Sequence, residues 1–317
     1  MLILPDFKEK RILLVHAEYG KDSLLQLTND NIRFVQDGET VDQMSCHSVF
    51  AVFIVGDMSI TTALLKKLSS YGVSVFFLNH NLATRAAVMA AAEGNYLLRQ
   101  RQYTSDGQMT IAAGIVINKL ENQEAVLQSF KKSYDVRVFD RARKQAAQSP
   151  DLKRLLGIEG NASKEYFQSL FGELGWVRRA PQTKEDIPNL LLDIGYSYLL
   201  NFCDALLRLF GFDTYKGCYH QLFFQRKSLS CDIMEPMRPL IDRQLVKSYH
   251  LGQIKEKDFV FKNGRFDFRE GYKTVKPYSA IFFEEITGRR EDMYRYILNF
   301  YRHVMDREKY TLPSFTV

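Results

Sequence analysis

The chain has 317 residues, 46% hydrophobic and 25% charged, enough for two ordinary domains or one large one with a sizeable core. No apolar run approaches the roughly 18–20 residues of a membrane helix. The N-terminal MLILPDFKEKR lacks the pattern of a signal peptide, and no G-x-x-x-x-G-K-[ST] stretch marks a phosphate-loop nucleotide enzyme. The net charge of +6 is uneven: residues 1–80 carry 7 Lys/Arg against 9 Asp/Glu, and residues 81–317 carry 36 against 28. A balance of −2 followed by one of +8 points to a polyanion-binding face on the later part of the chain, with a solvated basic surface as the plainer alternative. Cys46, Cys203, Cys218 and Cys231 form no C-x-x-C pair, which fits a reducing, cytoplasmic setting rather than a disulfide scaffold.

The first eighty residues read as β-rich. RILLVH (11–16), LLQL (24–27), NIRFV (31–35), TVDQM (40–44) and SVFAVFIV (48–55) are short runs rich in β-branched and aromatic residues, separated by polar turn residues. Asp37-Gly38 suits a tight hairpin. SITTALLKKLSSYG (59–72) reads as a helix with Ser59 as N-cap and Gly72 as its stop, before VSVFFL (73–78) returns to strand. The fold class expected is α+β: an antiparallel β domain with one covering helix, then an all-α domain.

From residue 86 onward apolar residues recur at helical spacing. Helices are expected over 86–103, 109–130, 135–147, 151–172, 187–210, 232–249 and 278–307. The stretch IPNLLLDIGYSYLLNFCDALLRLFG is apolar on nearly all sides, as in a central buried helix. DFVFKNGRFDF (258–268) reads as a hairpin turning at Asn263-Gly264, and the final TLPSFTV as loose.

Three segments of the helical part carry the chemistry. GIEGNASKEYF places Glu159 among small and apolar residues, YKGCYHQ places His220 in a glycine-containing connection, and SLSCDIMEPMRP spaces Asp232, Glu235 and Arg238 three apart, on one helix face. Pro236 favours a helix start, which puts Asp232 at or just before one. Two carboxylates and an imidazole suit Mg²⁺ or Mn²⁺, and a guanidinium can hold a phosphate oxygen. Singly, each residue also has a plain reading: His220 bonded in a loop, Asp232 as an N-cap, Glu235 as a surface carboxylate paired to Arg238, Glu159 ending a turn. A soft zinc set of Cys218, His220 and Cys231 is a rival.

Taken together, these segments resemble the CRISPR-associated integrase, the catalytic subunit of the spacer-acquisition complex. DMSITTALLKKLSSYGVSVFFLN is similar to that family's passage from a helix to the last strand of its N-terminal domain, and YLLRQRQY resembles its Arg-x-x-Gln segment at Arg99 and Gln102. EGNASKEYF, the GCYH turn and DIMEPMRP follow in the family's order, the last being the most specific.

The resemblance implies a β-rich N-terminal domain for dimerisation and partner contacts, here 1–82, and a helical catalytic domain, here 83–317. It implies homodimers, two of which bracket a dimer of a small ferredoxin-like second core adaptation protein in a four-to-two complex. It places metal ligands at Glu159, His220 and Glu235, with Asp232 as a supporting catalytic carboxylate and Mg²⁺ or Mn²⁺ as the ion. The family's acidic position is often Asp, so the choice between Asp232 and Glu235 as the closer ligand stays open. The implied reaction is attack by the 3′-hydroxyl of a double-stranded prespacer on the leader–repeat junction, with endonuclease activity from the same centre. Arg238, Arg289, Arg290, Arg295 and Arg302 are candidate DNA contacts, Arg295 and Arg302 lying seven apart on one helix. The alternatives are a non-catalytic DNA-binding scaffold and a general metallonuclease.

Overall fold

The computed structural model describes residues 11–18, 20–90, 95–181, 183–270 and 272–317. It divides into two compact units, one of Met1–Gln102 with Asp204–Asp213, the other of Tyr103–Cys203 with Thr214–Val317.

The first unit contains two four-stranded sheets. Strands β1 (Arg11–His16), β2 (Ser23–Thr28), β3 (Asn31–Gln36), β4 (Glu39–Ser45), β5 (Val49–Val55), β6 (Ser59–Ile60), β7 (Ser74–Leu78) and β8 (Thr84–Val88) form the orders β1-β5-β7-β8 and β4-β3-β2-β6. Tight turns close the meander: Asn29-Asp30 and Asp37-Gly38 all take positive φ, as a two-residue hairpin loop requires.

The expectation of an antiparallel domain holds for β2, β3 and β4 but not for the other sheet. β1, β5 and β7 run parallel, and in that sheet only β8 pairs antiparallel, against β7. The reason lies in β5, which is buried at all seven positions. A strand covered on both faces reads as a continuous apolar run, the signature of a parallel sheet, and α1 (Thr62–Ser70) supplies the crossover to β7. Leu64 and Leu68 of that helix pack on Leu25, Ile54 and Val75. Its N-cap is Thr61, whose hydroxyl accepts from the Leu64 amide; Ser59 belongs to β6. Gly72, at φ +72, ends the turn after it.

The helix expected over 86–103 is another correction. Residues 84–88 form β8, and α2 spans Tyr96–Thr104; residues 91–94 lie outside the described residues. Pairing with β7 outweighs the helical propensity of the alanines.

The second unit contains α3 (Gln108–Ser129), α4 (Val136–Ala147), α5 (Leu152–Phe171), most of α6 (Ile187–Phe210), α7 (Ser228–Met234), α8 (Arg238–His250), α9 (Tyr272–Gly288) and α10 (Arg290–Met305). Asp135 and Asp151 cap α4 and α5, accepting from the amides of Arg137 and Arg154. α6 is long and apolar enough to cross a membrane, but 67% of that window is buried, as in a core helix. The hairpin of β9 (Phe259–Lys262) and β10 (Arg265–Phe268) turns at Asn263-Gly264, as the sequence predicts.

Three boundaries differ from the sequence reading. The helix expected at 232–249 begins at Ser228 and passes through a 3-10 turn at Glu235–Met237, where Pro236 has no amide to continue the ladder. The helix expected at 278–307 is two, α9 and α10, separated at Arg289. The C-terminal segment is anchored rather than loose. The Phe315 amide donates to Asn118 Oδ1 at 2.8 Å, and the Phe315 carbonyl accepts from Asn118 and Asn122 at 2.9 and 2.8 Å.

Gly195 lets α6 approach its neighbours: a Cβ there would lie 2.4 Å from Ile241 Cγ2 of α8 and 3.0 Å from Phe282 Cδ1 of α9. Overpacking costs about 1–3 kcal/mol, while Ala gains about 1 kcal/mol of helix propensity over Gly. Gly195→Ala is therefore expected to lower stability by up to about 2 kcal/mol. The urea midpoint measures this, and a stabilised variant would contradict the packing account.

Candidate active site

The three segments singled out in the sequence converge within the second unit. α5 carries Glu159, the connection between α6 and α7 carries His220, and the 3-10 turn between α7 and α8 carries Glu235, with Arg238 opening α8. They line a cavity of about 490 Å³ together with Lys119, Gln123, Ser163 and Tyr219. A larger cleft of about 540 Å³ between α4 and α5, lined by Arg141, Lys164 and Glu165, holds no comparable carboxylate–imidazole set.

Asp232 organises the His220 side of the site. It is fully buried in the last turn of α7, so it is not an N-cap of its own helix. Its Oδ2 accepts from the amides of Cys218 and Tyr219 at 2.6 and 2.9 Å, and Oδ1 accepts from the His220 amide at 2.8 Å. Oδ1 also lies 2.7 Å from His220 Nδ1. An ionised carboxylate can only accept, so Nδ1 bears the hydrogen and, in the neutral ring, Nε2 keeps its lone pair. Nε2 faces Glu235 Oε1 at 4.0 Å, beyond hydrogen-bond reach. Gly217 makes the wrap possible, since a Cβ there would stand 2.7 Å from Asp232 Oδ2 and 2.9 Å from the His220 carbonyl oxygen.

Glu235, 4% exposed, lies in a field of positive charge. Arg238 Nε approaches Oε1 at 3.0 Å as a charge contact without a hydrogen bond, and its guanidinium sits 4.7 Å from the centre of the Tyr196 ring. Lys119 Nζ donates to Oε2 at 2.6 Å. Burial works to raise the Glu235 pKa, but Arg238, Lys119 and His220 outweigh it and hold the value down at about 2. Glu159 Oε1 accepts from the same ammonium at 2.5 Å and from Ser163 Oγ at 2.7 Å. Among the described residues nothing hydrogen-bonds Glu159 Oε2.

Lys119 lies outside the three segments that carry the sequence signal. α3 buries Asn118, Lys119, Asn122 and Gln123, two polar pairs at i,i+4 spacing on an apolar helix. One pair, Lys119 and Gln123, faces the carboxylates; Gln123 Nε2 donates to Ser163 Oγ at 3.2 Å. The other reaches the tail, and Asn122 also donates to the Pro236 carbonyl at 2.7 Å. Buried polar residues repeating at helical spacing are the signal that finds them. The hydroxyl of Tyr219 and the indole nitrogen of Trp176, both lining the cavity, are buried without a hydrogen-bond partner.

Glu159, His220 and Glu235 offer oxygen and imidazole donors suited to a hard divalent ion, while the unpaired Tyr219 hydroxyl and Trp176 indole N–H seek a hydrogen-bond acceptor instead. The residues thus fit such an ion, although among the described residues no three acidic, histidine or cysteine groups stand in ready ligand geometry. Lys119 lies between the two glutamates. Among the described residues the same lack of ready geometry holds for the soft set of Cys218, His220 and Cys231, whose thiols burial raises to about 12 for Cys218 and about 11 for Cys231.

The family described as CRISPR associated protein Cas1 matches residues 19–274. The chain belongs to this family. It is 28% identical over 296 residues to a CRISPR-associated endonuclease Cas1 of Thermodesulfovibrio yellowstonii, covering 84% of this chain and 93% of that one. It is 29% identical over 265 residues to another from Moorella thermoacetica, covering 76% and 77%. Among solved structures, a partial Cas6-RT-Cas1–Cas2 complex aligns with a TM-score of 0.78 at 23% identity, covering 96% of this chain and 98% of that one. A casposase bound to its integration product aligns at 0.72 and 17%, covering 97% and 100%. At these identities the likeness is one of fold. The Cas1 fold accounts for the strand-rich first part and the helical remainder.

The candidate DNA contacts of this Cas1 chain are dispersed. Arg99 Nε donates to the Gly211 carbonyl, and the buried Gln102 bonds the Asp213 carbonyl and amide, so both hold the 211–213 turn of the first unit. Arg289 reaches Asp292 and the Thr316 carbonyl, Arg290 the Thr287 carbonyl, and Arg302 Asn299. Arg295, with 59% of its side chain exposed, is the most open of the four. Arg238 alone joins the carboxylate cluster.

Behind that cluster Asp242 accepts from Tyr166 at 2.9 Å and from Tyr196 through a shorter bond. Burial raises its pKa to about 6, against the pull of both phenols, Arg238 and Lys119. Between about pH 4 and 6 the folded protein therefore keeps a proton that the unfolded chain has released, and stability falls as pH rises through that window. Asp242→Asn removes the slope. The variant's stability relative to wild type should rise by about 2–3 kcal/mol between pH 4 and 7, which paired urea titrations measure; a flat difference excludes the assignment.

Proposed function

We propose that this Cas1 protein is a divalent-metal-dependent DNA integrase of CRISPR adaptation, joining prespacer 3′ ends to leader–repeat DNA. The observation that carries the reading is the convergence of Glu159, His220 and Glu235 on one cavity, with Arg238 at its wall. Family membership and relatives named as endonucleases support it, and the likeness to a casposase bound to its integration product supports strand transfer as the chemistry.

In this reading Glu159, His220 and Glu235 hold Mg²⁺ or Mn²⁺, which when bound supplies activation of the attacking oxygen and neutralisation of charge at phosphorus. Asp232 fixes the tautomer and direction of His220, an orienting role rather than a ligand's, because its oxygens already serve three amides and the ring. Glu235 is accordingly the closer ligand. Arg238 and the Tyr219 hydroxyl, a phenol kept protonated by burial and by the neighbouring carboxylates, contact phosphate oxygens.

A new P–O bond forms to the incoming 3′ oxygen as the P–O3′ bond of the target breaks. One proton leaves the attacking hydroxyl and one returns to the released hydroxyl, so no nucleotide cofactor is needed. Water in place of the hydroxyl gives the endonuclease reaction. The partners are double-stranded prespacer and leader–repeat DNA, a second copy of the chain, and the small second core adaptation protein, in line with the Cas1–Cas2 composition of the aligned complexes. Residues 1–82 are assigned to dimer and partner contacts and 83–317 to DNA and catalysis.

With a free-ended prespacer and supercoiled leader–repeat DNA, strand transfer should require a divalent ion and a 3′-hydroxyl. Glu159→Ala, His220→Ala and Glu235→Ala should each abolish product, and Asp232→Asn should reduce it about 10–100-fold. Wild-type activity in all three alanine variants overturns the assignment. Duplex affinity should fall about 10³–10⁵-fold between 50 and 200 mM salt if six to ten phosphates are contacted; a salt-independent binding curve would count against a phosphate footprint.

A further inference from the structure

Lys119 is buried at the wall of the cavity, and its ammonium reaches Glu159 Oε1 at 2.5 Å and Glu235 Oε2 at 2.6 Å. Neither carboxylate would be brought so close to the other without a cation between them, since the like charges of a buried Glu235 and a part-buried Glu159 repel where water screens them poorly. The lysine reaches the pair from α3, a helix that none of the three site segments occupies. Gln123, one turn on along the same face, is buried with it.

The contacts are also divided between oxygens. Lys119 takes Oε1 of Glu159, where Ser163 also donates, and Oε2 of Glu235. Among the described residues this leaves Glu159 Oε2 without a hydrogen bond, and Glu235 Oε1 with the charge contact of Arg238 and the facing His220 Nε2. The ammonium thus engages one oxygen of each glutamate, and the other two stay out of its reach, that of Glu235 beside Arg238.

We propose that Lys119 is the internal counter-cation of the ligand pair. It holds Glu159 and Glu235 together when no divalent ion is bound, and afterwards shares the neutralisation of the same two carboxylates with that ion. Lys119 is a positioning residue, acting through the glutamates. The inference rests on the metal-site reading above, and it makes the ion and the lysine partly interchangeable as sources of stability.

Differential scanning calorimetry of the full chain with EDTA and with saturating Mn²⁺ tests it, with Mn²⁺ affinity from titration calorimetry. Lys119→Met leaves the buried Glu235 and the part-buried Glu159 without their shared partner, so its Tm in EDTA should fall by roughly 10 °C. Mn²⁺ should restore most of that loss, a larger increment than wild type shows. Lys119→Met with Glu159→Gln removes one charge of each sign and should recover most of the Tm in EDTA.

A wild type that responds to Mn²⁺ beside a Lys119→Met variant whose deficit the ion leaves untouched overturns this inference alone. If Lys119→Met does not fold, a double variant that is equally unfolded overturns it too, because the lysine would then serve the core rather than the carboxylates. A wild type that neither binds nor responds to Mn²⁺ removes the metal reading and this inference with it.

Discussion

One buried carboxylate sets the geometry on which the site depends. Asp232 gathers three consecutive amides and one ring nitrogen, turning a glycine-containing connection into a rigid cradle for His220. Buried amides left without acceptors would each cost about 1–3 kcal/mol, so the turn and the aspartate are bound to one another. The imidazole is thereby locked in both direction and tautomer before any ligand arrives.

The second constraint is charge. Setting Glu159 and Glu235 so near one another is tolerable only because Lys119 and Arg238 stand beside them. Removing one partner of a buried ion pair typically costs about 3–5 kcal/mol, which makes the cluster a set rather than a sum of pairs. Pro236 contributes by breaking the helix ladder between α7 and α8, giving Glu235 a 3-10 turn from which it meets α3 as well as Arg238.

Much of this was legible in the sequence. Spacings of three among Asp232, Glu235 and Arg238 predicted a shared face, and Glu235 and Arg238 do share one. Asp232 lies on the same stretch but turns toward the preceding loop, an outcome no local spacing encodes because its partners are backbone amides. The hairpins at Asp37-Gly38 and Asn263-Gly264 were readable because two-residue turns have a strict φ requirement. The parallel pairing of β1, β5 and β7 was not read, although the unbroken apolar run of β5 and the helix after it carried the signal. β8 was hidden because alanines favour helix while the neighbouring strand decides otherwise. Lys119 escaped because a lysine in a helix is ordinarily solvated, and only its polar companions one turn away mark the difference.

The amide of Asn122 forks between two carbonyls, that of Pro236 in the 3-10 turn and that of Phe315 near the end of the chain. The carboxyl end is thereby wired, through a single side chain, to the segment that presents Glu235. A purification handle or fusion partner joined after Val317 would pull on that wire.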